Sequence, residues 1–327
     1  MRITIPDDYQ NCVRQLQCFA TLAGHEVTVF NDTVHDTSTL AARFKGEQAI
    51  VLTRERTRIT AELLDLLPDL KVISQTGKLA GHVDLNACTQ RGIAVVEGSG
   101  TGAATAELTW ALVLASRRNL VAEVNRLHGG QWQGTVGQQL QGQRLGVWSY
   151  GRIGQQVAAY GKAFGMKVWV WGRAGSIAQA RADGVAVAPS KEAFFADSDI
   201  ISLHVRLNAN TRGMVSAADL ARMKPSALIV NTSRAELIEQ GALEQALPQG
   251  RPGFAAVDVY EAEPVLGAAH PLLQLPNALC TPHLGFVERD NYERYFGLAF
   301  ENIVNFAAGR ATGLVNPEYL QHVTHKR

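Results

Sequence analysis

The segment Leu145–Gly154 has residue types and spacing suited to holding a phosphate. It reads as a strand entering a tight turn and then a helix, an arrangement that points backbone N–H groups and a helix N-terminus at an anion. The full pattern, G-x-G-x-x-G, uses glycines so that the backbone can approach a pyrophosphate. Gly151 and Gly154 take the second and third places, and Ser149 stands where the first glycine is usual. Alone, this degenerate match fits an ordinary strand–helix turn equally well. Its context strengthens it, because the next strand-like run, Lys167–Trp171, ends where a ribose-reading residue belongs. That residue is normally an acid in NAD enzymes. Here Gly172 holds the place and Arg173 follows. Loss of the carboxylate removes repulsion toward a 2′-phosphate, and the guanidinium offers it a bidentate partner. The expected cofactor is therefore NAD(P), with NADP(H) favoured over NAD(H). A solvated Arg173 beside a less tightly bound ribose is the plainer alternative.

The elements that would position these residues alternate short β-branched runs with helix-period segments, the pattern of parallel α/β layers. A first series has strands at Arg2–Ile5, Val27–Phe30, Ala49–Leu52, Lys71–Ser74 and Ala94–Val96, with a helix such as Ala61–Leu67 between them. The glycine-rich link Gly98–Gly102 then leads into one long apolar helix from about Ala103 to His128. A second series follows at Arg144–Trp148, Lys167–Trp171, Ile200–Leu203, Leu228–Asn231, Ala255–Val259 and Ala278–Cys280, with helices starting near Ile153, Lys191, Ala217 and Gln240. A last helix, about Glu288–Ala308, comes after the second series is complete. The expected fold class is α/β: two Rossmann-like domains with parallel sheets and a cleft between them. Residues 1–102 plus 288–327 would form a discontinuous substrate domain, and 103–287 the dinucleotide-binding domain.

Composition narrows the function. A chain of 327 residues is long for one core. Its formal net charge of +1 gives no basic excess for nucleic acid. No stretch approaches the roughly 20 apolar residues of a bilayer span. Cys12, Cys18, Cys88 and Cys280 are scattered, fitting neither a disulfide framework nor a C-x-x-C metal pattern. The N-terminus opens on a strand-like run without a signal-peptide core. A cytoplasmic protein with no metal, no membrane partner and no nucleic-acid partner is expected.

From Leu140 onward the chain resembles the D-isomer-specific 2-hydroxyacid dehydrogenases. The resemblance is carried, in order, by the Leu145–Gly154 turn, Ser202-Leu203-His204, Met223-Lys224-Pro225, Asn231-Thr232-Ser233-Arg234, Val257–Pro264 and Thr281-Pro282-His283-Leu284-Gly285. It covers most of the second domain, and extends more loosely into the first through Leu70–Asp84 and Ala106-Glu107. It implies a soluble oxidoreductase moving a hydride between a nicotinamide cofactor and a small 2-oxo acid/(R)-2-hydroxy acid pair. Its catalytic residues would be Arg234, Glu263 and His283. Arg234 would grip the substrate through two parallel hydrogen bonds. His283 would exchange a proton with the reacting oxygen. Glu263 would orient the ring and favour its charged form. Arg234 is followed by Ala235 where the family mostly has glycine.

The same resemblance implies a cofactor site from Tyr150, Gly151, Arg152, Ile153 and Gly154 in the turn, Trp171, Gly172 and Arg173 after the next strand, and His204, Thr232, Asp258 and Gly285 beyond. The family's glycine-rich carboxylate loop is replaced here by Thr76–His82. Lys78 and Leu79 in that loop, with Arg54, are the expected substrate-binding residues besides Arg234. Arg56 and Arg58 lie close by, so a substrate with a second anionic group is expected, although Glu55 sits among these cations. The small-molecule substrate would be the main partner, and a homodimer is typical of the family. A dinucleotide-sensing corepressor or scaffold on the same fold is the alternative. Formate dehydrogenases share the architecture but carry glutamine beside the histidine, and Glu263 argues against them.

Overall fold

The computed structural model describes residues 1–323; residues 324–327, assigned above to the first domain, lie outside the described residues. The chain forms two compact units, Met1–Gly100 joined by the chain from Arg289 onward, and Thr101–Glu288.

The first unit contains β1 (Arg2–Ile5), β2 (Glu26–Val29), α1 (Thr37–Phe44), β3 (Ala49–Leu52), α2 (Ala61–Asp65), β4 (Val72–Gln75), α3 (Leu85–Gln90) and β5 (Ala94–Glu97). Its five strands are all parallel, in the order β2-β1-β3-β4-β5. Strands β3 and β4 are buried along their whole length. A parallel sheet covered on both faces selects this kind of run, apolar without alternation. Each helix here starts on a side-chain cap: Asp36, Thr60 and Asp84 accept from amides three residues on.

The second unit runs α4 (Ala103–Arg117), α5 (Leu120–His128), β6 (Arg144–Trp148), α6 (Arg152–Ala163), β7 (Lys167–Trp171), α7 (Ala174–Ala182), β8 (Ala186–Val187), α8 (Lys191–Asp197), β9 (Ile200–Leu203), α9 (Ala217–Arg222), β10 (Leu228–Asn231), α10 (Ala242–Ala246), β11 (Phe254–Val257) and β12 (Ala278–Cys280). Its sheet is seven-stranded and parallel, ordered β12-β11-β10-β9-β6-β7-β8. Successive residues of β10 feed opposite cores. Leu228 and Val230 join Val113 of α4 and Val157 of α6, whereas Ile229 joins Phe194, Phe195 and Leu243. The chain re-enters the first unit as α11 (Arg289–Ala307), where Ser74 Oγ donates to the Ala299 carbonyl at 2.9 Å and Phe19 meets Phe300 edge-on.

Three sequence expectations are corrected. The single helix over 103–128 is two helices: the chain turns at Arg118–Asn119, with Asn119 at φ +50. Asparagine tolerates this left-handed conformation. Burial changes with it, since α4 buries Thr109, Trp110, Leu112 and Val113 while α5 buries nothing. Strand β11 stops at Val257 rather than Val259: the Asp258 amide still donates to the Asn231 carbonyl, and there the chain leaves the sheet with the Asp258 side chain holding the Leu284 and Gly285 amides. Helix α7 and the short β8 were not expected. Among the described residues no helix is long and apolar enough to cross a membrane.

Candidate active site

The register of the seven-stranded sheet puts Trp171, Trp148, Leu203, Asn231, Val257 and Cys280 in one row across six strands. The next residues, Gly172, Ser149, His204, Thr232, Asp258 and Thr281, therefore all leave the sheet at its carboxyl edge, where open α/β sheets bind ligands. Four of them hydrogen-bond back to a neighbouring strand end: Ser149 to Trp171, His204 to Trp148, Asp258 to Asn231 and Thr281 to Val257, at 2.7–3.0 Å.

The turn after β6 fits a dinucleotide diphosphate. Helix α6, twelve residues long, begins at Arg152 with no side-chain cap, leaving its N-terminal amides to an anion. A Cβ on Gly151 would meet nothing within 4 Å, so that face is open to a ligand. A Cβ on Gly154 would lie 2.2 Å from the Ser149 carbonyl oxygen, so α6 packs into the turn only with glycine there. Ser149 adopts φ +78, the left-handed conformation for which the usual first glycine is suited. Ser176 Oγ, on the first turn of α7, accepts from the Tyr150 amide at 3.2 Å. Tyr150 is buried and Trp171 half-buried against the core. Gly172 lies against Ser149 and Ser176, and Arg173 is exposed at the N-cap of α7.

Further along the edge, His204 Nε2 pairs with Ser202 Oγ at 2.8 Å, and its Nδ1 is sealed from solvent with no partner among the described residues. Burial drives this ring's pKa down to about 4, so it is neutral at neutral pH. Thr232 Oγ1 lies 2.7 Å from Thr109 Oγ1 of α4. The fully buried Asp258 accepts from Thr281 Oγ1 (2.6 Å) and from the Leu284 and Gly285 amides (2.7 and 2.8 Å). Burial raises its pKa, while these hydrogen bonds and the nearby His283 oppose the rise. Both oxygens of Asp258 thus hold the loop that carries His283.

Arg234, Glu263 and His283 follow three adjacent strands, β10, β11 and β12. His283 Nδ1 is 2.6 Å from Glu263 Oε2, and the Tyr260 amide donates to Glu263 Oε1 at 2.9 Å. Among the described residues no hydrogen bond engages His283 Nε2. The Arg234 loop is held by Asn231, whose Nδ2 donates to the Arg234 carbonyl at 2.8 Å and whose Oδ1 accepts from the Ser233 amide at 3.0 Å. Arg234 Nη1 donates to the Ser233 carbonyl at 2.6 Å.

In the first unit, Arg54 and Lys78 follow β3 and β4. Arg54 has φ +55; its amide donates to Thr76 Oγ1 at 2.8 Å and its guanidinium lies 5.4 Å from the Tyr295 ring centre. A Cβ on Gly77 would fall 2.2 Å from Arg54 Nη1, so that glycine makes room for the arginine. Lys78 is exposed and pairs with Glu97, which also accepts from the Leu79 amide at 2.8 Å. Arg56 lies over Tyr9 and donates to the Asp7 carbonyl, and Arg58 is exposed.

Sequence reasoning missed the supports. Asn231 and Thr281 sit inside recognised segments and were legible as polar residues at strand ends. Thr105, which donates to the Gly285 carbonyl at 2.8 Å, and Ser176 have no local signal, because each acts across a long sequence separation.

Residues 110–285 match the family model for the D-isomer specific 2-hydroxyacid dehydrogenase, NAD binding domain. The chain is 36% identical over 275 residues to a glyoxylate reductase of Aeropyrum pernix, covering 81% of this chain and 82% of that one. It is 33% identical over 262 residues to a D-3-phosphoglycerate dehydrogenase of Archaeoglobus fulgidus, covering 79% of this chain but only 49% of that longer protein. A solved structure from Ralstonia solanacearum, an oxidoreductase provisionally described as a D-3-phosphoglycerate dehydrogenase, superposes with a TM-score of 0.95 at 52% identity, covering 98% of each chain. None of these similarities favours a corepressor or scaffold. The chain belongs to the D-isomer specific 2-hydroxyacid dehydrogenase family, whose members are oxidoreductases of 2-oxo and 2-hydroxy acids that use a nicotinamide cofactor.

Proposed function

We propose that the protein reduces a 2-oxo acid to its (R)-2-hydroxy acid, and catalyses the reverse, with His283 as acid and base, Glu263 as its orienting carboxylate and Arg234 as the substrate clamp. The observation that carries this reading is the 2.6 Å contact between His283 Nδ1 and Glu263, with no hydrogen bond engaging Nε2 among the described residues. The cofactor, when bound, supplies or accepts the hydride at the substrate's C2. Arg234 holds the substrate carboxylate and thereby aims the carbonyl. In reduction, protonated His283 gives its Nε2 proton to the oxygen that becomes the hydroxyl. In oxidation it takes that proton back. Glu263 stabilises the imidazolium and fixes which nitrogen faces the substrate.

The residues that would hold the cofactor are Gly151–Gly154 at the diphosphate, Gly172 and Arg173 at the adenosine ribose, and His204, Thr232, Asp258 and Gly285 along the sheet edge. We assign NADP(H) as the preferred form. Exposed Arg173 beside Gly172 supports this, since no carboxylate stands there to repel a 2′-phosphate. We also assign the substrate a second anionic group, with Arg54 as its contact. Support comes from the built setting of Arg54, held on left-handed backbone between Tyr295 and the space left by Gly77. Lys78 and Leu79 are weaker candidates because Glu97 engages both.

A homodimer is supported by the exposed apolar face of α5, Leu120, Val121, Val124 and Leu127, with exposed Trp132 and Val136 in the following arm. Glu123 of α5 holds that arm by accepting from the Gly134 amide and the Thr135 hydroxyl. Four free cysteines suit a reducing cytoplasm.

The catalytic reading is tested with Arg234→Ala and Glu263→Ala. Both should keep the fold and nucleotide affinity while kcat/KM falls by about 2.7–4 kcal/mol in transition-state stabilisation, judged from comparable electrostatic groups. Near-normal turnover in either variant removes that residue from the mechanism.

A further inference from the structure

The His283 imidazole has a second neighbour besides Glu263. The Phe286 ring stands 5.5 Å from it, centre to centre, at an interplanar angle of 84°. Phe286 is buried, only 7% exposed. The backbone between the two rings is fixed. Asp258 accepts from the Leu284 and Gly285 amides, Thr105 Oγ1 donates to the Gly285 carbonyl, and the Val287 amide closes a turn on the Leu284 carbonyl at 2.8 Å. His283 itself sits at φ +51, a conformation non-glycine residues hold only where their surroundings over-determine it.

One hydrogen bond does not fix an imidazole. The torsion that turns the ring is broad and two-fold, so a ring tied only at Nδ1 can still swing about that contact and carry Nε2 away from its target. A perpendicular aromatic neighbour removes this freedom, because the quadrupoles of the two rings favour an edge-to-face arrangement. We propose that Phe286 is a positioning residue for proton transfer. Glu263 sets which nitrogen of His283 faces outward, and the Phe286 ring sets the plane in which it does so. This rests on the reading of His283 as the acid and base.

The role predicts a particular kinetic signature. An error of about 1 Å in the aim of a catalytic group costs on the order of 100-fold in rate while leaving binding groups alone. Phe286→Ala should therefore lower kcat by roughly 10–100-fold, with KM, substrate ranking and nucleotide Kd (followed by quenching of tryptophan fluorescence) changed less than about twofold. Phe286→Tyr, which keeps the ring, should recover most of the rate. Phe286→Leu, which keeps an apolar side chain without the ring, should not. In a His283→Ala background, Phe286→Ala should cost almost nothing more, since there is no imidazole left to aim.

Wild-type kcat in Phe286→Leu overturns the proposal, as does an equal loss with and without His283. A loss in Phe286→Ala that appears instead in KM or in the substrate ranking makes Phe286 a substrate wall and overturns it too. If Phe286→Ala does not fold, the comparison of Phe286→Leu with Phe286→Tyr decides the question. Unchanged turnover in His283→Ala alone removes the acid–base reading and this proposal together. The other contrary outcomes remove this proposal and leave that reading standing.

Discussion

Arg173 illustrates how much one side chain can be asked to decide. It follows Gly172 at the end of β7, where the sheet edge meets α7, and both were proposed because the ribose-reading place lies at a fixed distance from the phosphate turn. We expect higher kcat/KM with NADPH than with NADH, a preference reduced by Arg173→Ala. Gly172→Asp should turn it toward NADH. The new Cβ would lie 3.2 Å from Ser176 Cβ, so Ser176 must shift a few tenths of an ångström, and Arg173→Ala is the cleaner variant. The same assays, run with glyoxylate, pyruvate, oxaloacetate, 2-oxoglutarate and phosphohydroxypyruvate, test Arg54 and Lys78. A preference for dianions that Arg54→Ala lowers more than Lys78→Ala supports the assignment. A wild type that prefers NADH, or small monoanions whatever stands at position 54, contradicts the corresponding part of it. Other residues were opaque in the sequence. The serine at 149 does not itself signal the left-handed backbone it bears at φ +78; only its place in the glycine pattern does. Phe286 reads as one more apolar residue, since its meaning depends on the ring three positions before it.

Elements were legible wherever apolar runs were continuous and both their faces were buried. The buried strands β3, β6, β9 and β10 stand where the sequence places them, as do β1, β7 and the half-buried β12. Errors collect where local pattern and tertiary contact disagree. The apolar residues of 103–128 continue through Arg118–Asn119, so the sequence reads as one helix, yet only its first part has a core to meet. The two-residue β8 is too short to show any period. Helix α5 is the consequence worth testing, because a helix with Leu120, Val124 and Leu127 on one exposed face needs a reason to stay in water. Light scattering coupled to size exclusion should give a mass of two chains. Val124→Glu combined with Leu127→Glu should give one chain, with its fold retained because neither residue touches a core. A wild type that runs as a monomer at micromolar concentration refutes the dimer.

For the whole molecule, two parallel sheets were expected from two series of short apolar strands, and two parallel sheets are present. The ordering of the second sheet carries most of the functional consequence. It sets β10, β11 and β12 side by side and so gathers three residues scattered over the chain onto three neighbouring loops. The side-chain types at those loops were legible; the pinning by Tyr260, Asn231 and Asp258 was not, since it depends on which loops become neighbours. In the proposed mechanism one imidazole both gives and takes the reaction's proton. The deciding measurement is the pH dependence of kcat/KM in both directions, for wild type and His283→Ala. Reduction needs the protonated ring and oxidation the neutral one. In wild type, reduction should therefore fall as pH rises, and oxidation should fall as pH drops. The residual activity of His283→Ala should show neither limb. Both limbs surviving unchanged in His283→Ala would place the proton on another residue.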